Sequence, residues 1–334
     1  MPTTKLNITF LPPSRIAWEP EDISLFRDIM LTNPEFRDQV ALHFPEADEI
    51  DSAIVDADVL VCGYVQDEEL RRAVNLKWIA FWSAGLDGKL KPEMLQRGLT
   101  FTSASGVHGP NIADHVLMLM LMFTRRMEYF FRAQQQVSWA RTPKNPEPGE
   151  LAGKTLGIVG YGRIGEPLCQ RAQACGMRVI ATKRDPQQTY GTVKPDRLLP
   201  SDELYTLLAE SDHLCIAVPY TPATHHIIDQ PALNVMKPGS YLYNVARGKV
   251  VDEAAMVRAL QSGQLAGAGL DVFETEPLSP DSVLWQMENV LITPHVSGMT
   301  PQYFARFAPI LAENIGRWLR NEQLVNQFDP ARGY

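Results

Sequence analysis

The sequence predicts an α/β protein of two doubly wound domains, the second inserted into the first. Three observations lead there. A short apolar strand runs into Gly160-x-Gly162-x-x-Gly165 near the middle of the chain, with a helical pattern from Glu166 to Cys175 after it. About 150 residues of alternating strand and helix patterns precede that motif, enough for a domain of ordinary size. A second alternating series follows it, and one more helical run lies beyond the last strand. A chain of 334 residues, 45% apolar and 21% charged, can fill two such cores.

In the first series Asn7–Leu11, Asp58–Cys62, Lys77–Trp82 and Leu99–Ser103 read as strands. Asp22–Leu31, Asp67–Ala73 and Lys91–Arg97 read as helices. A long helix is expected from Pro110, which suits a first turn, to about Trp139. Its middle, Val116–Phe123, is apolar on every face and must be buried all round. That burial could come from a single-chain core, but an interface between two copies is the favoured reading. Arg125-Arg126 beyond it reads as a solvated or capping pair. Arg141–Glu150 is a proline-punctuated linker.

After the linker, strands are expected at Thr155–Val159, Arg178–Thr182, His213–Val218, Ser240–Asn244, Gly267–Asp271 and Val290–Ile292. Helices fall between, at Ser201–Glu210, Gln230–Met236 and Glu253–Ser262. The last helical run, Pro301–Leu319, is expected to cross back to the first series. This places one domain at 1–106 with 300–334 and the other at 107–299, including the helix near 110–139.

Each glycine of the central motif has its own task in a dinucleotide site. The first allows a tight turn, the second lets backbone approach the pyrophosphate, and the third lets helix and strand pack closely. Free amides at the helix N-terminus then face the phosphates. The next strand ends Thr182-Lys183-Arg184, where an NAD site would carry a carboxylate for the ribose hydroxyl. A basic pair attracts a 2′-phosphate: two close charges at an effective dielectric near 20 interact by about 4 kcal/mol before desolvation. A surviving ~1.4 kcal/mol already gives tenfold preference. NADP(H) is therefore the expected cofactor and NAD(H) the possible one, with Asp185 reaching the ribose in the second case.

A net charge of −8 disfavours a nucleic-acid or anionic-membrane partner. No secretory signal is read at the N-terminus, and the apolar run Val116–Phe123 is too short to span a bilayer. The cysteines (Cys62, Cys169, Cys175, Cys215) have no metal or redox spacing and point to a reduced, cytoplasmic protein. His225-His226 and His108…His115 carry no metal-site signature, so no metal is expected.

Three polar residues fall at strand ends or the adjoining loops of the second series: Arg247, Glu276 and His295. Reduction of a 2-keto acid needs these three kinds of group. A guanidinium pins the carboxylate and polarises the carbonyl. An imidazolium donates a proton to the developing alkoxide, and a carboxylate on its other nitrogen fixes the tautomer.

The chain resembles the D-isomer-specific 2-hydroxyacid dehydrogenases over essentially its whole length. The resemblance rests on Gly160-x-Gly162-x-x-Gly165, Val218-Pro219…Thr224, Asn244-Val245-Ala246-Arg247-Gly248, Gly269-Leu270-Asp271-Val272-Phe273-Glu274-x-Glu276-Pro277 and Thr293-Pro294-His295. It implies a Rossmann-type dinucleotide-binding domain inserted into a discontinuous, flavodoxin-like substrate domain. It implies Arg247, Glu276 and His295 as the catalytic residues. Arg163, Ile164, Val218, Pro219, Thr224, Val245 and Ala246 then join the glycines and Thr182-Lys183-Arg184 around the cofactor. Asp271 would lie near the nicotinamide end.

The Ser83-Ala84-Gly85 loop would offer amides to the substrate carboxylate, in a cleft between the domains. A homodimer through the long helix is also implied. Lys183 departs from the aspartate common in NAD-using members, and Ala-Asp-His at 113–115 stands where many have Ala-Glu-His. Oxidation of phosphite or formate, and a nicotinamide-sensing role without catalysis, are the alternatives on the same scaffold. Pocket walls are expected near Leu11–Ile16 and Phe81–Leu86, and Trp18, Trp82 and Trp285 are core or rim aromatics by default.

Overall fold

The computed structural model describes residues 5–13, 18–86, 88–141, 147–187 and 191–330. The chain divides into two compact units, 1–107 with 300–334, and 108–299. Of the linker expected at 141–150, residues 142–146 lie outside the described residues.

The first unit is a parallel sheet in the order β2-β1-β3-β4-β5. Its strands are β1 (Leu6–Phe10), β2 (Val40–His43), β3 (Val59–Cys62), β4 (Trp78–Phe81) and β5 (Thr100–Thr102). Between them run α1 (Pro20–Leu31), α2 (Ile50–Ala53), α3 (Asp67–Arg72) and α4 (Pro92–Gln96). Strands β3 and β4 are buried at every position, as parallel strands covered on both faces must be. The C-terminal helix (Tyr303–Leu319) packs Phe307, Leu311 and Ile315 with Phe26 and Met30 of α1 on one face. Leu70 and Met94 cover the other. Neither β2 nor α2 was expected from the sequence. Strand β2 is a four-residue edge strand with only Val40 fully buried, so it shows no alternation to read.

The second unit opens with α5 (Gly109–Thr124) and α6 (Met127–Gln135). Its sheet holds β6 (Thr155–Val159), β7 (Arg178–Lys183), β8 (Arg197–Pro200), β9 (His213–Ile216), β10 (Ser240–Asn244), β11 (Leu265–Leu270) and β12 (Val290–Ile292). All are parallel, in the order β12-β11-β10-β9-β6-β7-β8. Strand β8 is an unexpected edge strand that stops at a proline, where a missing N–H is tolerated. Helices α7 (Gly165–Ala174), α8 (Leu204–Glu210), α9 (Gln230–Val235) and α10 (Glu253–Ser262) connect the strands, and the C-terminal helix of the first unit is α11. Helices α5 and α7 cover one face through Val116, Leu119 and Leu168; α8 to α10 cover the other through Leu207, Leu233 and Leu260. Asp229 and Asp252 start α9 and α10 by accepting from Ala232 N and Ala255 N, and left-handed Gly263 ends α10.

One expectation for the helix near 110–139 is corrected. The helix is not continuous: Arg126 adopts φ 59° and divides α5 from α6. The Arg125-Arg126 pair is the break itself. Arg126 Nε turns in to Glu128 Oε1 at 2.8 Å, and Arg125 donates to Gly149 O at 3.0 Å. Within one chain, Met118 and Leu121 of α5 are 42% and 40% exposed.

His213 on β9 lies between Tyr241 and Tyr243, its Nδ1 3.0 Å from the Tyr243 hydroxyl. Burial pushes its pKa down to about 4. The unfolded chain, with histidine near 6.5, therefore takes up that proton first as the pH falls. This contribution to stability is full above about pH 6.5 and is lost toward pH 4, about 3 kcal/mol in all. In urea unfolding, wild type should lose more stability than His213→Phe between pH 7 and pH 4. Parallel losses in the two proteins would reject the assignment.

Candidate active site

The order of the second sheet reverses between β6 and β9, which lead off in opposite directions. Open parallel sheets bind ligands at such a point, beyond the carboxyl ends of the strands. Gly160 sits there at φ 99°, and a Cβ on it would press Val218 Cγ1 at 2.7 Å and Ala217 O at 2.8 Å. A Cβ on Gly165, at the start of α7, would stand 2.9 Å from Gly160 O. One on Gly162 would meet nothing within 4 Å. The first glycine thus permits the turn, the third the close packing, and the second leaves open space above the backbone. That space fits a dinucleotide phosphate. Gly109 of α5 supports the turn from behind, since a Cβ there would meet Arg163 O at 2.2 Å. Ile164 forms the N-cap of α7.

Tyr161 N donates to Thr182 O at 2.7 Å, which ties the glycine turn to the end of β7. Thr182 is buried, Lys183 half-buried and Arg184 exposed. Burial pushes the Lys183 ammonium below its usual pKa, with Asp185 and Glu166 acting the other way. Asp185 Oδ1 accepts from Gln187 N at 3.0 Å and so caps its own turn. Across the switch point, Thr224 Oγ1 donates to Pro219 O at 2.7 Å and accepts from Thr221 N at 2.8 Å, closing the loop after Val218. Val245 and Ala246 are buried past β10, where Asn244 Oδ1 accepts from Ala246 N at 3.1 Å.

Arg247, Glu276 and His295 follow three adjacent strands, β10, β11 and β12. Glu276 and His295 meet: Oε2 of the carboxylate is 2.8 Å from Nδ1 of the ring. Glu276 Oε1 accepts from Phe273 N at 3.0 Å, which fixes the plane of the carboxylate. A carboxylate can only accept, so Nδ1 is the donor in this contact and the second ring nitrogen points away from Glu276. The His295 side chain is 49% exposed. Arg247 is tied by Asn244 Nδ2, which donates to its carbonyl at 3.0 Å, and its own Nη1 donates to Ala246 O at 2.7 Å. A Cβ on Gly248 would lie 1.8 Å from Phe273 C, so the Arg247 turn rests directly on the backbone that leads to Glu276.

Asp271, just past the end of β11, also reaches the segment that carries His295. It is fully buried, and its carboxylate accepts from Thr293 Oγ1 at 2.6 Å, Val296 N at 2.9 Å and Ser297 N at 3.0 Å. His295 N donates to Asp271 O at 2.8 Å, which holds His295 at φ 55°. Burial alone would push the Asp271 carboxyl up; the hydrogen bonds from Ser297, Thr293 and Val296 hold it below the usual range. Asp271 is the support under the His295 loop.

Sequence reasoning also missed a second histidine–carboxylate pair. His226 Nε2 lies 2.9 Å from Glu274 Oε1, which also accepts from Glu253 N at 3.0 Å. Burial, then the neighbouring charge of Glu274, pushes the Glu253 carboxyl up. His108 and His115 both face the 293–299 segment. Among the described residues no group of three or more His, Cys, Asp or Glu could hold a metal ion.

In the first unit, the Ser83-Ala84-Gly85 bend follows β4, and Ser83 O accepts from Ala104 N at 3.0 Å. The Ser83 hydroxyl oxygen is buried with no partner among the described residues. Leu11, expected to line a pocket wall, is instead fully buried core, and residues 14–16 of that wall lie outside the described residues. Trp18 is buried and donates to Phe10 O, Trp82 is half-buried, and Trp285 is exposed. No helix among the described residues is long and apolar enough to cross a membrane.

The family model described as D-isomer specific 2-hydroxyacid dehydrogenase, NAD binding domain, matches residues 117–297. A glyoxylate reductase of Thermofilum pendens is 36% identical over 292 residues, 85% of this chain and 85% of that one. A hydroxypyruvate reductase of Thermotoga maritima is 34% identical over 86% of this chain and 92% of its own length. Among solved structures, a D-isomer specific 2-hydroxyacid dehydrogenase from Xanthobacter autotrophicus Py2 in complex with NADPH and MES aligns with TM-score 0.76 and 27% identity. The alignment covers 98% of this chain and all of that one. With its glycine turn at the switch point of a parallel sheet and a histidine–glutamate pair in the loops after β11 and β12, this chain belongs to the D-isomer specific 2-hydroxyacid dehydrogenases, enzymes that use NAD(P).

Proposed function

We propose that this enzyme reduces small 2-keto acids to D-2-hydroxy acids and prefers NADPH to NADH. The Glu276–His295 contact at 2.8 Å is the observation that carries the chemistry. The nicotinamide, when bound, supplies a hydride to the carbonyl carbon. His295 donates the proton from Nε2 to the carbonyl oxygen while Glu276 holds the proton on Nδ1. Arg247 pins the substrate carboxylate and polarises the carbonyl, and the Ser83-Ala84-Gly85 loop adds backbone amides. Gly160, Gly162, Arg163, Ile164, Gly165, Thr182, Val218, Pro219, Thr224, Val245 and Ala246 line the cofactor. The glyoxylate and hydroxypyruvate reductases among its relatives favour those two acids as substrates.

Lys183 and Arg184 support the NADPH preference, since Asp185 is already engaged with Gln187. The test is the disappearance of reduced-nicotinamide absorbance with NADPH, then NADH, against glyoxylate, hydroxypyruvate, pyruvate and bulkier 2-keto acids. Turnover with a small acid and NADPH is expected. Silence across the panel despite tight NADPH binding would reject the reading. The double substitution Lys183→Asp, Arg184→Ala should lower the NADPH/NADH ratio of kcat/KM by about tenfold or more. An unchanged ratio would remove the basic pair from the cofactor assignment.

The exposed Met118 and Leu121 of α5 and Phe131 of α6 support a homodimer through this helical segment. Light scattering should give the mass of two chains. The four cysteines, none of them in a disulfide, suit a reducing cytoplasm.

A further inference from the structure

Helix α5 opens on a polar stripe that the chemistry above leaves unused. His108 at its N-cap, Asn111 and His115 are spaced by three and then four residues, which sets them on one helix face. All three meet the segment 293–299. His108 Nδ1 donates to Gly298 O at 2.8 Å. Asn111 Nδ2 donates to Ser297 O at 2.8 Å and more weakly to Met299 O at 3.4 Å. His115 Nε2 lies 3.1 Å from Thr293 Oγ1. On its other side the same segment gives Thr293 Oγ1, Val296 N and Ser297 N to the Asp271 carboxylate. His295 is thus carried on a loop gripped between an accepting carboxylate and a donating helix face.

The proton positions follow from the chemistry of the groups. Asp271 is ionised at neutral pH and can only accept. The single hydroxyl proton of Thr293 therefore goes to Asp271 Oδ1. Its oxygen is left to accept, so His115 must carry a proton on Nε2. Burial pushes the His115 pKa down, with the Asp271 charge opposing, which leaves a neutral ring bearing that one proton at pH 7.

We infer that His108, Asn111 and His115 form a positioning ridge for the catalytic loop, with His115 a positioning residue that acts through Thr293 and Asp271 on His295. The inference rests on His295 being the proton donor, so its test has an arm that needs no turnover. Four proteins are compared with wild type: His115→Leu, His115→Gln, Thr293→Val, and the His115→Leu, Thr293→Val double. The readouts are kcat and KM for NADPH with the best 2-keto acid, and hydrogen exchange of the amides in 293–299.

His115→Leu should lower kcat about tenfold with little change in the KM for NADPH, as a small misplacement of a reacting group does. Exchange at Val296 and Ser297 should quicken by a similar factor. Gln at 115 keeps an N–H donor and should restore both readouts. Thr293→Val should match His115→Leu, and the double should be no worse than either single change, as expected for one chain of contacts. Unchanged kcat and exchange in His115→Leu, failed rescue by Gln, or loss of protection across the whole second unit would overturn the inference. A wild type that reduces no 2-keto acid rejects the proton-donor reading separately, and exchange in 293–299 then decides the ridge alone.

Discussion

His295→Ala should lower turnover by ~10²-fold or more while leaving NADPH affinity intact. The expectation follows from what holds the loop. His295 N, Thr293, Val296 and Ser297 all bond to Asp271, whereas the imidazole contacts Glu276. Removing the ring takes away the proposed proton donor and leaves the loop backbone in place. One complication is the φ of 55° at this position, where most side chains are strained. Asparagine tolerates that conformation better than alanine, so His295→Asn separates lost chemistry from a relaxed loop. Both variants should show the same fall in kcat and wild-type NADPH titrations. If cofactor affinity falls as far as turnover, the imidazole is structural and the acid must be sought elsewhere.

Regular elements were legible where local chemistry marks both ends. Thr155–Val159, Ser240–Asn244, Val290–Ile292 and Glu253–Ser262 fall where the sequence places them. The last of these has Asp252 to start it and Gly263 to stop it. The break at Arg126 was not legible, because two arginines are good helix formers. What decides it is tertiary: Arg126 turns toward Glu128 and Arg125 toward Gly149. Short edge strands such as β2 and β8 lack the alternation that marks a half-buried strand.

The candidate site divides in the same way. Glycines, the basic pair and the Arg247, Glu276, His295 set are read from residue type and position. Supports are not, since their partners are remote in sequence. His115 and Thr293 are 178 residues apart, and nothing near either names the other. The resemblance placed Asp271 near the nicotinamide end but gave no sign that it supports the His295 loop. Its two oxygens are taken by the next strand's loop, which only the fold brings beneath it.

Replacing Arg247 with methionine should reduce kcat/KM for the 2-keto acid by about 10²–10³-fold, through both KM and kcat. Loss of one partner from a hydrogen-bonded charge pair costs about 2–5 kcal/mol, and each 1.4 kcal/mol is tenfold. Methionine keeps much of the arginine stem's volume, so packing past β10 should survive. The turn itself is set elsewhere: Asn244 holds the Arg247 carbonyl, and Gly248 rests against Phe273. Melting temperature and NADPH affinity should therefore stay near wild type. Lysine supplies the charge without the planar fork. Arg247→Lys should recover part of the affinity for the carboxylate and little of kcat, because a point charge cannot hold the carboxylate and polarise the carbonyl together. If lysine restores kcat fully, Arg247 contributes charge alone. If methionine leaves kcat/KM unchanged, the guanidinium does not touch the substrate, and the carboxylate site must be assigned to the Ser83-Ala84-Gly85 loop.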